Sequence, residues 1–110
     1  MNTFSLEDMT RGWFVGSFAP TALETDTVEV GLKRYKRGEK ETRHHHKVAT
    51  EVTLLVEGEA MMNALIFRSG DIIRIPPGES TDFEALTDLI TVVVKVPGAT
   101  NDKYLGEASC

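Results

Sequence analysis

The chain has 110 residues, about the length of one ordinary domain, and 41% of them are hydrophobic. Its formal net charge of −5 argues against a general nucleic-acid binder, which needs a basic face to displace counterions. No apolar run approaches the roughly 18 residues of a membrane span, and the single cysteine, Cys110, cannot form an intramolecular disulfide. We therefore expect one cytoplasmic domain over residues 1–110, with neither a nucleic acid nor a membrane as partner.

Short strand patterns separated by turns fill most of the chain. Residues 1–10 form a short helical or irregular start, and a first strand is predicted over 13–18. Residues 27–36 alternate apolar and polar side chains, which predicts a half-buried strand with Val30, Leu32 and then Arg34 facing inward. Further strands are predicted over 42–47, 51–57, 59–62, 65–67, 72–75, 80–86 and 89–96, with a hairpin at Gly58. This succession predicts an all-β barrel or sandwich.

Two histidines and a glutamate stand at a regular spacing in the middle of the chain, in the pattern G(X)5HXH(X)4E(X)6G from Gly38 to Gly58. Side chains alternate between the faces of a strand, so His44 and His46 project to one side while His45 points away and is expected to be outward and dispensable. A glutamate on the next strand, Glu51, can complete the set. Two imidazoles and one carboxylate suit divalent iron, manganese, nickel or zinc.

This pattern resembles the first conserved motif of the cupin superfamily, and a later segment resembles the second motif, G(X)5PXG(X)2H(X)3N. Gly70, Pro76 and Gly78 stand at the expected places, whereas Thr81 stands at the position of the histidine and an alanine at that of the asparagine. The resemblance covers about residues 28 to 96. It implies a cupin-like double-stranded β-helix, also called a jelly-roll β-barrel, as a single domain.

The family's usual metal ligands are three histidines and a glutamate, and this chain supplies three of the four. The resemblance therefore implies one divalent ion (Fe, Zn, Mn or Ni) at His44, His46 and Glu51, or a site without metal in which these residues are catalytic. Thr81 is a poor ligand for such ions. Asp82 is adjacent, but strand alternation turns it outward if Thr81 faces the barrel interior.

The segment 33–47 is strongly basic. It holds seven of the twelve basic residues and two of the seventeen acidic ones, so its net charge is +5 against −10 for the rest of the chain. Because it leads into the histidines, it could draw a small anionic molecule to the pocket, with Arg34 and Lys40 as contacts. Thr81 and Phe83, both expected to face inward, complete the predicted ligand contacts. The alternative is an ordinary solvated strand face.

Three classes of function stay open at this point. The first is a metal-dependent enzyme such as an oxygenase, isomerase or lyase. The second resembles the metal-free cupin sugar isomerases and epimerases, in which His44 or His46 would be the acid or base. The third is a noncatalytic ligand-binding or sensor module.

A further expectation concerns assembly. The strands 52–56 and 89–94 are apolar on both faces, which indicates that their outer face is covered by the N-terminal strand or by a second subunit. Cupins commonly pair sheet on sheet, so the resemblance favours a homodimer. The polar tail, residues 101–110, is expected to fray or to pack across a neighbour.

Overall fold

The computed structural model describes residues 1–99 and 101–107, which form ten β-strands. Two short 3-10 turns, Leu6–Asp8 and Thr10–Gly12, precede the first strand. In this described part, no helix has the length and apolar character needed to cross a membrane. Cys110 lies outside the described residues. The strands are β1 (Trp13–Val15), β2 (Glu29–Tyr35), β3 (Lys40–His45), β4 (Thr50–Glu57), β5 (Glu59–Met62), β6 (Leu65–Arg68), β7 (Ile72–Ile75), β8 (Thr81–Ala85), β9 (Leu89–Val96) and β10 (Tyr104–Leu105).

The ten strands form two five-stranded antiparallel sheets. One sheet has the order β1-β2-β9-β4-β7 and the other the order β10-β3-β8-β5-β6. Most neighbours within a sheet are distant along the chain, because the chain passes repeatedly from one sheet to the other. This is the double-stranded β-helix that the sequence predicted, and the all-β fold class is confirmed.

Apolar and polar residues share the space between the sheets. The core is formed by Leu55, Ala60, Met62, Ile75, Phe83, Ala85 and Leu89. Along β4 the inward side chains run from Glu51 and Thr53 to Leu55, so this strand passes from a polar end into the core. The functional residues therefore lie at the end of the barrel that the core leaves open.

The side of β2 that faces the barrel interior is the reverse of the predicted one. Lys33 and Tyr35 line the interior cavity, whereas Arg34 is exposed on the outer face. Leu32 packs outward against a groove formed with the N-terminal segment, which includes Phe4 and Met9. The apolar face of this strand is covered from outside, and the polar face lines a site, so the rule that apolar residues point inward gave the wrong orientation.

The predicted hairpin at Gly58 is also wrong. β4 pairs with β7 and β9, and β5 pairs with β6 and β8, so Gly58 is the corner at which the chain changes sheets. Gly58 has a φ of +95°, and a Cβ there would lie 2.5 Å from the Asp88 carbonyl oxygen. Both the dihedral and the close approach require glycine.

The tail was expected to fray or to cover a neighbour, and residues 101–107 instead pack on their own barrel. β10 pairs with the end of β3, Tyr104 opposite His45 and Leu105 opposite His44. Asp102 is buried and its carboxylate accepts the N–H groups of residues 47, 48 and 49 at 2.9 to 3.2 Å. These hydrogen bonds lower the pKa of Asp102, although its burial acts in the opposite direction. The segment is thereby tied to the turn that follows His46.

Candidate functional site

A cavity of about 250 Å³ lies between the two sheets at the polar end of the barrel. Its walls come from β2, β3, β4, β8 and β9, together with residues of the N-terminal and C-terminal segments. His44, His46, Glu51, Thr81 and Phe83 all line it. The structure thus brings together five of the seven residues that the sequence singled out for the site.

The two histidines stand at the end of β3 with their rings close together. The ring centroids are 5.5 Å apart and the planes are nearly perpendicular, at 86°. His44 Nδ1 lies 3.0 Å from the Thr42 carbonyl oxygen, and because a carbonyl can only accept, Nδ1 carries the proton and Nε2 is the basic nitrogen. The His46 carbonyl accepts the N–H of Gly78 at 2.7 Å, which ties the histidine segment to the turn before β8.

His46 is held in its neutral form. Its burial lowers the pKa of the imidazole to about 4, and the charge of Lys95 and the neighbouring His44 act in the same direction. Its Nε2 atom is buried and has no hydrogen-bond partner among the described residues. A neutral imidazole with a free ring nitrogen can accept or donate a hydrogen bond or bind a metal ion.

His45 does not line the cavity, in keeping with the predicted outward orientation, but it is buried. It is buried beneath the C-terminal segment, where its ring stacks on Tyr104 with 5.6 Å between centroids. Its Nδ1 donates to the Gly106 carbonyl at 2.8 Å. These contacts fix the C-terminal segment to β3. His45 therefore has a structural role, whereas the sequence predicted a dispensable residue.

Glu51 reaches the cavity from β4. Thr53 donates to its Oε2 at 3.2 Å, and Lys95 on β9 is its cross-strand partner. Burial raises the pKa of the Glu51 carboxyl, while the charge of Lys95 and the Thr53 hydrogen bond act against that rise. The ammonium group of Lys95 therefore gives this buried carboxylate a neighbouring opposite charge.

Glu41 and Tyr35 are among the cavity residues that sequence reasoning missed. Tyr35 donates to Glu41 Oε1 at 2.7 Å, and burial followed by the charge of Glu41 raises the pKa of the phenol. A β-bulge between Glu41 and His44 brings both side chains into the cavity, although the number of residues between them, two, is even. Strict alternation would have put Glu41 and His44 on opposite faces, so no periodic signal could have found the glutamate.

The predicted ligand contacts divide into two groups. Thr81 and Phe83 are buried and line the cavity, and Thr81 is the cross-strand partner of His44. Arg34 lies outside on the opposite face of β2, and Lys40 is exposed, 3.8 Å from Glu84. Neither lines the cavity among the residues that the structure describes. Both were expected there from their basic charge alone, which does not specify the face of the strand.

Four other basic side chains line the cavity at its mouth, and we call them the basic rim: Arg11, Lys33, Lys95 and Lys103. Lys33 and Lys95 each place Nζ 4.9 Å from the centroid of the Trp13 ring, a cation–π arrangement. Lys33 Nζ also donates to the Arg11 carbonyl at 2.9 Å. Burial, then the charge of Arg11, lowers the pKa of the Lys33 ammonium. The rim combines residues from three separate parts of the chain.

The fold family implies a metal ion, and the donor set fits one only in part. The protonated Nδ1 of His44 and the unpartnered Nε2 of His46 are features that suit imidazole ligands. Within residues 1–99 and 101–107, however, no three His, Cys, Asp or Glu side chains are arranged to hold a metal ion. Glu51 is instead engaged by Thr53, and Thr81 stands in place of a fourth ligand.

No protein-family model matches the sequence, and no curated protein matches it significantly. Solved structures do resemble it. An uncharacterized conserved protein with a double-stranded β-helix domain from Klebsiella pneumoniae has a TM-score of 0.71 at 22% identity, over 96% of this chain and 91% of that one. The DMSP lyase DddQ from Ruegeria pomeroyi has a TM-score of 0.71 at 14% identity, over 89% and 51%. Oxalate decarboxylase from Bacillus subtilis has a TM-score of 0.63 at 21% identity, over 73% and 24%.

These similarities concern the fold, and the two five-stranded antiparallel sheets of this chain agree with the double-stranded β-helix named for the Klebsiella protein. The chain therefore has the double-stranded β-helix fold.

Proposed function

We propose that the barrel cavity binds a small anionic molecule. The observation that carries this proposal is the charge of the lining, where the four side chains of the basic rim face the carboxylates of Glu41 and Glu51. This local excess of positive charge occurs in a chain whose net charge is −5. A concave site with one sign of charge attracts ligands of the opposite sign and strengthens the hydrogen bonds made to them.

The volume of the cavity limits the size of the ligand. About 250 Å³ corresponds to the space that roughly eight water molecules take up in the liquid. Pockets for drug-sized ligands begin at about 300 Å³. A small organic acid or a phosphate compound of similar size fits these bounds, whereas a nucleotide does not.

Two adjacent residues of β2 give a matched test of anion binding. Lys33 lines the cavity and Arg34 faces outward, so Lys33→Met should weaken binding of propionate and inorganic phosphate by about tenfold, which one charge-assisted hydrogen bond supplies. Arg34→Met removes the same charge from the neighbouring position and should leave both dissociation constants unchanged. The constants can be measured by NMR titration of the ¹⁵N-labelled protein. Loss of binding in Arg34→Met alone would place the anion outside the barrel.

A divalent metal ion at His44, His46 and Glu51 is a second candidate function for the same cavity. The buried Nε2 of His46, which has no partner among the described residues, favours it, and Glu51 would have to move to join the two imidazoles. The metal content of untagged protein, measured by mass spectrometry, tests this candidate. Near one iron, zinc, manganese or nickel per chain supports it, and protein that neither contains nor takes up these ions contradicts it.

A further inference from the structure

The cavity has two chemically different zones. The basic rim is at the mouth: Arg11, Lys95 and Lys103 also line one surface groove, and Arg11 and Lys33 also line another. Arg11 and Lys103 are exposed, and the other two rim residues are half-buried. A second set of cavity residues is buried, and we call it the cavity floor: His44, His46, Thr53, Thr81 and Thr91. Positive charge is thus concentrated near solvent, and neutral polar groups lie deepest.

Two polar atoms of the floor have no hydrogen-bond partner in the described part of the chain. They are His46 Nε2 and Thr91 Oγ1, and Thr91 is only 2% exposed. Buried polar groups are almost always paired, because an unpaired one loses its hydration without compensation. Thr53, on the neighbouring strand, shows the usual situation, since its hydroxyl donates to Glu51. The two unpaired atoms are therefore positions at which a bound molecule would gain hydrogen bonds.

The charge of the neighbouring Glu51 carboxylate limits which chemical group of a ligand fits on the floor. Glu51 lies beside it, so a second anionic group of the ligand would face a carboxylate. A hydroxyl or carbonyl group carries no charge, and it can pair with a threonine hydroxyl and an imidazole nitrogen. We propose that the ligand is bifunctional, with its anionic group at the basic rim and a hydroxyl or carbonyl group on the floor against Thr91 and His46. This proposal rests on the proposed anion binding and names its ligand class, a short hydroxy acid or oxo acid.

The test compares matched pairs of probes on the full chain after removal of metal with a chelator. Pyruvate is paired with propionate, levulinate with pentanoate, and glycerol 1-phosphate with propyl phosphate. The first member of each pair carries the extra oxygen group, and the pairs vary its distance from the anion and the kind of anion. In at least one pair the first member should bind roughly two- to tenfold more tightly by NMR titration, the range that one net hydrogen bond gives.

Two variants separate the zones. Thr91→Val removes the floor hydroxyl and keeps the shape of the side chain, so it should bring the ratio of the two dissociation constants within a pair close to one. Lys95→Met removes a rim charge, so it should weaken both members by a similar factor and keep their ratio. Thr91→Ser retains the hydroxyl and should retain the preference. If Thr91→Val does not fold, Thr91→Ala gives the same comparison.

The outcomes distinguish this inference from the function on which it rests. If no probe of any pair binds, the proposed anion site itself is wrong. If the anions bind but every pair has a ratio near one, or if Thr91→Val keeps the preference, anion binding stands and the bifunctional ligand is refuted. A preference in the phosphate pair alone would assign a phosphate ester, and a preference in a carboxylate pair alone would assign a carboxylic acid.

Discussion

Thr91 is expected to reduce the stability of the fold, and replacing it by valine should raise the free energy of unfolding. Its side chain is 2% exposed and its hydroxyl has no partner among the described residues. Leaving such a group buried and unpaired costs about 1–3 kcal/mol, whereas an apolar group of the same shape has no such cost. Valine also suits a strand at least as well as threonine. We expect Thr91→Val to stabilise the protein by about 1 kcal/mol.

Thr53 provides a control from the adjacent strand of the same sheet. It is 6% exposed and also faces the cavity, but its hydroxyl donates to the Glu51 carboxylate at 3.2 Å. Thr53→Val removes a hydrogen bond to a charged group, and we expect it to destabilise the protein by about 1 kcal/mol. Thermal unfolding at one protein concentration should show a melting temperature roughly 4 °C higher for Thr91→Val and a similar decrease for Thr53→Val. If both variants are destabilised equally, the Thr91 hydroxyl has a partner in solution, and the reasoning is refuted.

Three further predictions concern titration, assembly and metal affinity. Burial lowers the pKa of His46 in the folded protein to about 4, below the ordinary value of 6.5. The unfolded chain therefore binds the proton more readily, and the free energy of unfolding should fall as the pH drops from about 6.5 to 4. Chemical denaturation across this range should show a smaller fall in His46→Gln, and an equal fall would contradict the lowered pKa. We expect a homodimer through the outer face of the sheet, where the exposed side chains of Leu54 and Ile72 lie opposite each other. Replacing both residues by lysine should give a monomer in analytical ultracentrifugation. A monomeric wild-type protein would refute the expectation. Because residue 81 lies opposite His44, Thr81→His should raise the affinity for manganese or nickel at least tenfold, as measured by calorimetry. An unchanged affinity would show that the new imidazole does not reach the metal ion.

The parts of the fold that depend on local patterns were predictable. β5, β7 and β9 have the bounds expected from apolar runs and turn residues. The alternation of His44 and His46 toward one side follows from strand geometry alone. These features need only neighbours along the chain, so a single sequence contains the required information.

The features that sequence missed depend on contacts between distant segments. Glu41 enters the cavity because a bulge changes the strand parity before His44, and no composition signal marks that bulge. Arg11 reaches the rim because the chain approaches β2 at Gly12, where a Cβ would overlap the Leu32 carbonyl oxygen. Lys103 reaches it because Asp102 is bound by the N–H groups that follow His46. Terminal segments were expected to be peripheral, and they supply half of the basic rim.

The cross-strand partners of the predicted ligands bear on the two proposed functions of the cavity, anion binding and metal binding. His44 lies opposite Thr81, which removes one ligand, and Glu51 lies opposite Lys95, which adds a positive charge. After burial, the ammonium group of Lys95 contributes to the lowered pKa of His46, and it opposes the larger effect of burial, which raises the pKa of Glu51. The same charge repels a divalent cation and attracts an anion. Because these residues satisfy one another electrostatically, the presence of His44, His46 and Glu51 in the sequence is weaker evidence for a metal than the motif by itself indicates.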